Sequence, residues 1–194
     1  MKTNKIYLSV FFIFLFNIIG ATALCFPALR EAIFKLTPLN LLLIFMIFFY
    51  ANNDFSLSFL KTILLVFIIG YFIEVLGVRF KFIFGEYFYG ETLGLKILNT
   101  PIIMGINWLS LSLSTFGIAA YVFKPKLLIV VAASALMVLT DMLIEPLSAS
   151  LDFWYWKNSV IPTQNYIAWF LVSLIIHSII LKSDIKLNPV LCFA

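Results

Sequence analysis

Long apolar stretches alternate along this chain with short segments that hold most of its polar residues. A helix needs about 20 apolar residues to cross the hydrocarbon core of a bilayer. Six stretches approach that length and predict membrane-spanning helices. They cover approximately residues 6–24, 38–52, 57–76, 102–123, 127–146 and 165–182.

Two of these stretches allow an alternative. The second is short, so it could be a re-entrant segment, and Thr37-Pro38 would begin its helix because proline is tolerated at the first helical position. The first could be a secretory signal, since Ala21-Thr22-Ala23 resembles a cleavage site after a basic start. Its apolar run is long for a signal, which favours a membrane span.

The composition places the whole chain in a membrane. Hydrophobic residues are 63% of the 194 residues and charged residues 11%, and the mean hydropathy is +1.10. Soluble domains carry roughly 25% charged residues. We therefore expect an all-α, polytopic integral membrane helix bundle of about six transmembrane helices, forming a single membrane domain over residues 1–194.

Several classes of function lose support. The net charge of +4 is modest, and no run of lysines or arginines suggests nucleic acid as a partner. Cys25 and Cys192 lie near opposite ends of the chain without the spacing of metal ligands. The sequence also lacks a glycine-rich phosphate loop and the HExxH zinc pattern. We expect no metal site and no nucleotide-dependent chemistry.

Acidic residues are concentrated on one side of the predicted membrane. Six spans place both chain ends on one side, side A, while the loops after the first, third and fifth spans lie on side B. Lysine and arginine divide almost evenly, so they assign no orientation. Glu74, Asp141 and Glu145 lie within apolar stretches near side B. Intramembrane acids are costly and usually face a protein interior or a polar cavity, so these three are the candidate catalytic residues.

Asp141 and Glu145 are spaced i, i+4, which places both carboxyls on one helix face with a rise of about 6 Å. Two ionised carboxylates there would repel each other, so we expect one of them to hold a proton. Pro146 is predicted to end the helix at Glu145. A purely structural pair, satisfied by Asn107, Asn165 or a tyrosine hydroxyl, is the alternative.

Aromatic and amide side chains surround the acids in the sequence. The loop over residues 74–101 is rich in glycine and aromatic residues, although rings at the headgroup level are also common in membrane proteins. His177 lies about 18 Å beyond Asn165 along its helix and is expected to be a packing residue. The candidate substrate-binding residues are Tyr87, Tyr89, Asn107, Trp108, Trp154, Trp156, Asn165 and Trp169.

A carboxylic acid, a carboxylate and many rings in a lipid setting suit one kind of reaction. Protonation of an isolated alkene gives a carbocation, which the faces of aromatic rings stabilise. A second carboxylate can orient or deprotonate a water molecule that attacks the cation. The substrate would then be an apolar polyene or isoprenoid that enters from the bilayer.

Two motif blocks resemble the carotenoid 1,2-hydratase family of bacteria and archaea, and together they cover about residues 70–170. The first, E-x-x-G…F-G-x-Y-x-Y…P…N-W, is carried by Glu74, Gly77, Phe84, Gly85, Tyr87, Tyr89, Pro101 and Trp108. The second, D-x-x-x-E-P…W-x-W…P-x-x-N-x-x-x-W, is carried by Asp141, Glu145, Pro146, Trp154, Trp156, Pro162, Asn165 and Trp169.

The resemblance implies a hydro-lyase that adds water to the terminal C1=C2 double bond of a carotenoid ψ end and forms a tertiary hydroxyl. It implies no cofactor, a membrane-embedded carotenoid and water as ligands, and a bacterial cytoplasmic membrane as the location. Other enzymes of the carotenoid pathway are candidate partners. Two alternatives stay open: a carotenoid end-group cyclase or isomerase that uses the same protonation, and a non-catalytic carrier of lipid or pigment.

Overall fold

The computed structural model describes residues 2–194 and consists mainly of helices long enough to cross a membrane. Six such helices lie within these residues, as the apolar stretches predict. The protein is an all-α, polytopic integral membrane bundle. The helices are α1 (Lys2–Leu24), α2 (Arg30–Asn52), α3 (Leu57–Phe80), α4 (Ile103–Val122), α5 (Lys126–Ser148) and α6 (Thr163–Ser183), followed by the short α7 (Pro189–Cys192).

Successive helices run in opposite directions, so the first helix and the segment after α6 meet at side A. The Asn52 side chain donates to the Lys186 carbonyl at 3.0 Å and accepts from the Asn188 backbone N–H at 2.9 Å. The Lys5 ammonium reaches Asn53 Oδ1 at 3.5 Å. These contacts tie the start of α1, the α2–α3 link and the C-terminal segment together.

Both helix boundaries predicted from proline are wrong. Pro38 lies inside α2, which begins at Arg30, so the second span is a full helix of 23 residues. Proline is tolerated within membrane helices where neighbouring groups satisfy the freed backbone carbonyl. Pro146 lies inside α5, which continues to Ser148, so Glu145 is helical. The Ser148 hydroxyl donates to the Glu145 carbonyl at 2.9 Å and supports this last turn.

The side-B loops form short strands that the sequence pattern did not predict. β1 (Tyr87–Tyr89) pairs antiparallel with β4 (Trp154–Trp156), and β2 (Lys96–Ile97) pairs with β3 (Thr100–Pro101). The register places Tyr87 opposite Trp156 and Tyr89 opposite Trp154. Side chains alternate across a strand, so the rings of Tyr87 and Tyr89 are buried while Phe88 is 60% exposed.

α4 lies at the centre of the bundle and packs against α3, α5 and α6, whereas α1 packs mainly along α2. Trp108 on α4 is fully buried. The backbone of α3 comes close to this ring because Gly70 has no side chain, and a Cβ there would overlap Trp108. Close helix packing through small residues is common in membranes. It fixes the position of Trp108 relative to Glu74, one turn further along α3.

Candidate active site

A small cavity lies between the side-B ends of α3, α4, α5 and α6 and is closed by the β1–β4 ribbon. It leaves about 20 Å³ for the centre of a water molecule, which is room for one or two waters. All three predicted catalytic acids reach it, together with most of the predicted binding residues. Its walls are formed by Glu74, Phe84, Tyr87, Tyr89, Met104, Asp141, Glu145, Trp154, Trp156, Asn165 and Trp169.

Glu74 is 3% exposed and its carboxyl accepts hydrogen bonds from three side chains. The hydroxyls of Tyr87 and Tyr89 each donate to Oε2 at 2.6 Å, and the Trp108 indole donates to Oε1 at 2.8 Å. Burial first, and the adjacent Glu74 second, raise the pKa of both phenols well above the ordinary value of 10.0. The phenols therefore remain hydrogen-bond donors to Glu74.

Glu145 is 4% exposed and likewise accepts three hydrogen bonds. The indoles of Trp154 and Trp156 donate to Oε2 at 3.0 and 2.7 Å, and the Asn165 amide donates to Oε1 at 3.1 Å. The two tryptophans are two residues apart on β4, so both indoles point to the same face of the ribbon. The W-x-W spacing in the sequence thus provides a pair of donors for one carboxylate.

Asp141 differs from the two glutamates in its hydrogen bonds. Its Oδ2 accepts from the Asn165 amide at 2.7 Å, and within residues 2–194 its Oδ1 has no donor. The carboxyl is 2% exposed and lines the cavity one helical turn from Glu145. Asp141 is therefore the one carboxyl of the three with an oxygen free to carry a proton toward the cavity.

Aromatic rings form a continuous wall around the acids. Tyr87 lies 5.1 Å from Trp156 between ring centroids, and Tyr89 lies 6.4 Å from Trp154 in an edge-to-face arrangement. Trp169 lines the cavity and stacks on Trp108, with ring centroids 4.2 Å apart. Trp108 itself lies behind this wall, so it contacts the site through Glu74 and Trp169.

Asn107 lies outside the cavity. It is half-buried and makes no hydrogen bond to any of the acids in the described chain. Adjacent residues on an α-helix point about 100° apart, so the packing that turns Trp108 toward Glu74 turns Asn107 away. The structure thus does not bring Asn107 to the cavity, and its role in substrate binding stays a prediction.

Phe84 and Met104 also line the cavity, although sequence reasoning did not select them. Met104 lies one helical turn before Trp108, and that spacing could have placed it on the same face. Phe84 lies within the F-G-x-Y-x-Y stretch but carries no polar atom to distinguish it from other apolar residues. An apolar side chain such as that of Phe84 is recognised as a cavity residue only when the tertiary fold is known.

Asp152 was not predicted as a site residue, but it holds the two side-B loops together. Its Oδ2 accepts from the backbone N–H groups of Glu91 and Thr92 at 2.8 and 3.0 Å, and its Oδ1 accepts from the Tyr155 hydroxyl at 2.8 Å. Gly90 permits this approach, because a Cβ there would overlap Asp152. Burial alone would raise the pKa of Asp152, but these hydrogen bonds together lower it below 3.8.

His177 lies in a separate buried layer of the bundle. Its ring nitrogens are 3.1 Å from the Thr115 hydroxyl and 3.0 Å from the Ser134 hydroxyl, and the side chain is fully buried. It does not line the acid cavity. These contacts join α4, α5 and α6, in agreement with the packing role expected for a single histidine at this depth.

The sequence as a whole matches one family model. The model describes a carotenoid biosynthesis protein, and the match covers residues 12–188, which include every side chain that lines the cavity. No curated protein and no solved structure matches the chain. A match over most of the chain, together with the membrane bundle, establishes that this protein belongs to the carotenoid biosynthesis protein family, which supports a role in that pathway.

Proposed function

We propose that this protein is a cofactor-independent hydratase that adds water to the terminal C1=C2 double bond of a carotenoid ψ end. One observation carries the proposal. Asp141 presents an oxygen without a donor to a water-sized cavity in the described structure, whereas Glu74 and Glu145 each accept three hydrogen bonds. An acid, two carboxylates and room for water thus lie together at the end of a membrane bundle.

The hydrogen bonds support a division of roles between the acids. Donors stabilise the charged form of a carboxyl group, and three donors do so strongly. Glu74 and Glu145 are therefore assigned as carboxylates. Asp141 has one donor and two anionic neighbours, so it is assigned as the group that holds the proton and gives it to the alkene.

The reaction balances without a cofactor. The Asp141 proton bonds to C2 of the ψ end, and the alkene electron pair forms that new C–H bond, which leaves a tertiary cation at C1. The carboxylates and the faces of the ring wall stabilise this charge. A water oxygen bonds to C1 and loses a proton to Glu145. That proton returns to Asp141, one helical turn away, so one water is consumed and the acids are restored.

The size and polarity of the cavity favour hydration over the alternatives. A cyclase or isomerase that uses the same protonation must keep water away from the cation. Here the space beside the acids fits a water molecule and is bordered by Asp141, Glu145 and Asn165. In a pigment carrier the acids would be structural, and each carboxyl oxygen should accept a hydrogen bond, since buried polar groups are normally hydrogen-bonded. The Asp141 oxygen without a donor in the described chain does not fit that role.

Pigment analysis separates these functions. The chain is expressed in a host that accumulates lycopene, and the pigments are compared by mass and retention with those of the host alone. Hydration adds the mass of one water to the pigment. Cyclisation would leave the mass unchanged and alter retention and spectrum, and a carrier would change neither, so either result contradicts the proposal.

A further inference from the structure

The acid cavity cannot hold a carotenoid. It has room for one or two water molecules, whereas a carotenoid chain is on the order of 30 Å long, comparable with the hydrocarbon core of a bilayer. Only the reacting end can approach the acids. The rest of the polyene must lie elsewhere on the protein.

A groove between α1 and α2 offers further space for part of such a chain. Its volume is about 380 Å³, and it opens within the membrane-spanning part of both helices. Gly20 and Ala21 on α1 are small and leave space at this point, since a Cβ added at Gly20 would meet no atom of the described chain within 4 Å. The groove is lined by Phe16, Asn17, Ile19, Gly20, Ala21, Leu24, Ile33, Leu36, Thr37, Asn40 and Phe153.

One pair of aromatic rings connects the groove with the wall of the acid cavity. Phe153 lines the groove and stacks on Trp154, with ring centroids 5.9 Å apart. Trp154 in turn lines the cavity and donates to Glu145 at 3.0 Å. Trp154 is only half-buried, unlike Tyr87 and Tyr89 on the facing strand. Two adjacent rings thus separate the groove from the carboxylates.

Two intramembrane amides support a role for the groove beyond contact with lipid. Asn17 on α1 and Asn40 on α2 both line it. The Asn17 amide donates to the Ile13 carbonyl of its own helix at 2.9 Å rather than joining α1 to α2. Polar side chains at such depth are costly and usually face functional cavities rather than lipid.

We propose that the α1–α2 groove binds part of the long apolar chain of the polyene substrate and that Phe153 and Trp154 form the passage to the acids. The choice of a polyene rests on the proposed function and on the family. The groove provides apolar contact for a linear substrate outside the small cavity. It also gives α1 and α2 a function, although neither contributes a residue to the acid site.

Gly20 is a position at which a larger side chain should block the groove. A Cβ at Gly20 would meet no atom within 4 Å, so Gly20→Phe extends a ring into the groove without a clash at its base. Gly20→Ala is the control for the loss of glycine. Ile18→Phe is the control for an added ring, because Ile18 is 58% exposed on the same helix and does not line the groove.

The measurement is the total carotenoid, lycopene plus any hydrated product, that remains with each purified variant in lipid nanodiscs, normalised to protein. Ile18→Phe should match the wild type, Gly20→Phe should retain about tenfold less, as expected when an added ring overpacks a site, and Gly20→Ala should lose less than Gly20→Phe. Equal retention by Gly20→Phe, equal loss in Ile18→Phe, or no carotenoid on the wild type would overturn the proposal.

Pigment mass measured in the same samples separates the two proposals. If Gly20→Phe loses lycopene but the wild type never adds water, the groove is correct and hydration is wrong. If Gly20→Phe hydrates lycopene as well as the wild type does, hydration is correct and the groove is not the binding site.

Discussion

The amide nitrogen of Asn165 lies 2.7 Å from Asp141 Oδ2 and is the only donor to that carboxyl within residues 2–194. The same nitrogen lies 3.1 Å from Glu145 Oε1. One side chain of α6 thus joins the two acids of α5. The two carboxyls, one helical turn apart, therefore share a single amide donor.

Loss of the Asn165 amide should impair turnover more than stability of the bundle. Asn165→Leu keeps a similar volume but removes the donor to Asp141 and one donor to Glu145. Hydrogen bonds to charged groups are worth about 1.5–3 kcal/mol, so turnover should fall roughly 10- to 150-fold. Asn107→Leu is the matched control and should hydrate lycopene almost normally. Similar activity in the two variants would remove Asn165 from the site.

Ring electronics should matter if a cation forms. The four tryptophans of the chain are Trp108, Trp154, Trp156 and Trp169, so fluorotryptophan incorporation labels only these positions. Progressive fluorination weakens the negative ring face with little change in size. Desolvated cation–π contacts reach about 2 kcal/mol, which is roughly thirtyfold in rate. Turnover should therefore fall in a graded way, and the effect should persist in Trp108→Phe, since Trp108 lies behind the wall. Turnover that does not change with fluorination would show that the rings serve only in packing.

Asp152 should make stability depend on pH in the acid range. Its pKa is lowered in the folded protein below 3.8, so its contribution is fully present above about pH 3.8 and is lost as the pH falls through the folded value. The melting temperature of Asp152→Asn in detergent should lie below that of the wild type at pH 7, and the two should converge at lower pH. A difference that persists unchanged at low pH would show that the charge of Asp152 is not responsible.

Replacement by alanine at two helical glycines should change the stability of the protein in opposite directions. Gly70→Ala places a Cβ against Trp108 and should lower the free energy of unfolding by about 1–3 kcal/mol. Gly20→Ala meets open space and should raise it by roughly 0.5–1 kcal/mol, since alanine is the better helix former. Chemical denaturation in mixed micelles measures both. A destabilised Gly20→Ala would mean that α1 packs more tightly at this point than the structure shows.

The sequence predicted the bundle well because the length of an apolar stretch directly determines whether it can cross a bilayer. Its errors came from local rules that tertiary packing overrides. The local rules for proline predict helix boundaries at Pro38 and Pro146, but both residues lie within helices. Propensity is a weak guide where neighbouring helices stabilise the backbone.

The chemistry of the site was more visible in the sequence than its geometry. Glu74, Asp141 and Glu145 stood out because carboxyls are rare in apolar stretches. The pairing of Tyr87 with Trp156 joins segments far apart in the chain, and no local pattern predicts that register. Phe84 and the groove beside Gly20 involve residues whose composition is ordinary for a membrane protein, so only the fold reveals them.

The carboxyl pair itself leads to a further prediction. Asp141→Asn removes the proposed proton donor, and Glu145→Gln removes the proposed base, while both amides keep nearly the same shape. Each variant should reach the membrane at normal levels and form no hydrated carotenoid. Asp54→Asn and Glu31→Gln are the matched controls, because both lie away from the cavity and should leave the product unchanged. Loss of folded protein in both site variants would instead favour a structural pair.

The origin of the new hydroxyl oxygen and of the new hydrogen tests the central claim most directly. Membranes that contain the wild type are incubated with lycopene, once in heavy-oxygen water and once in deuterium oxide. The product should carry one heavy oxygen in a tertiary hydroxyl at C1 and one deuterium at C2, and Asp141→Asn membranes should form none of it. Acid-catalysed hydration at Asp141 would be contradicted if the wild type formed only unlabelled pigment. It would also be contradicted if Asp141→Asn formed as much labelled product as Asp54→Asn.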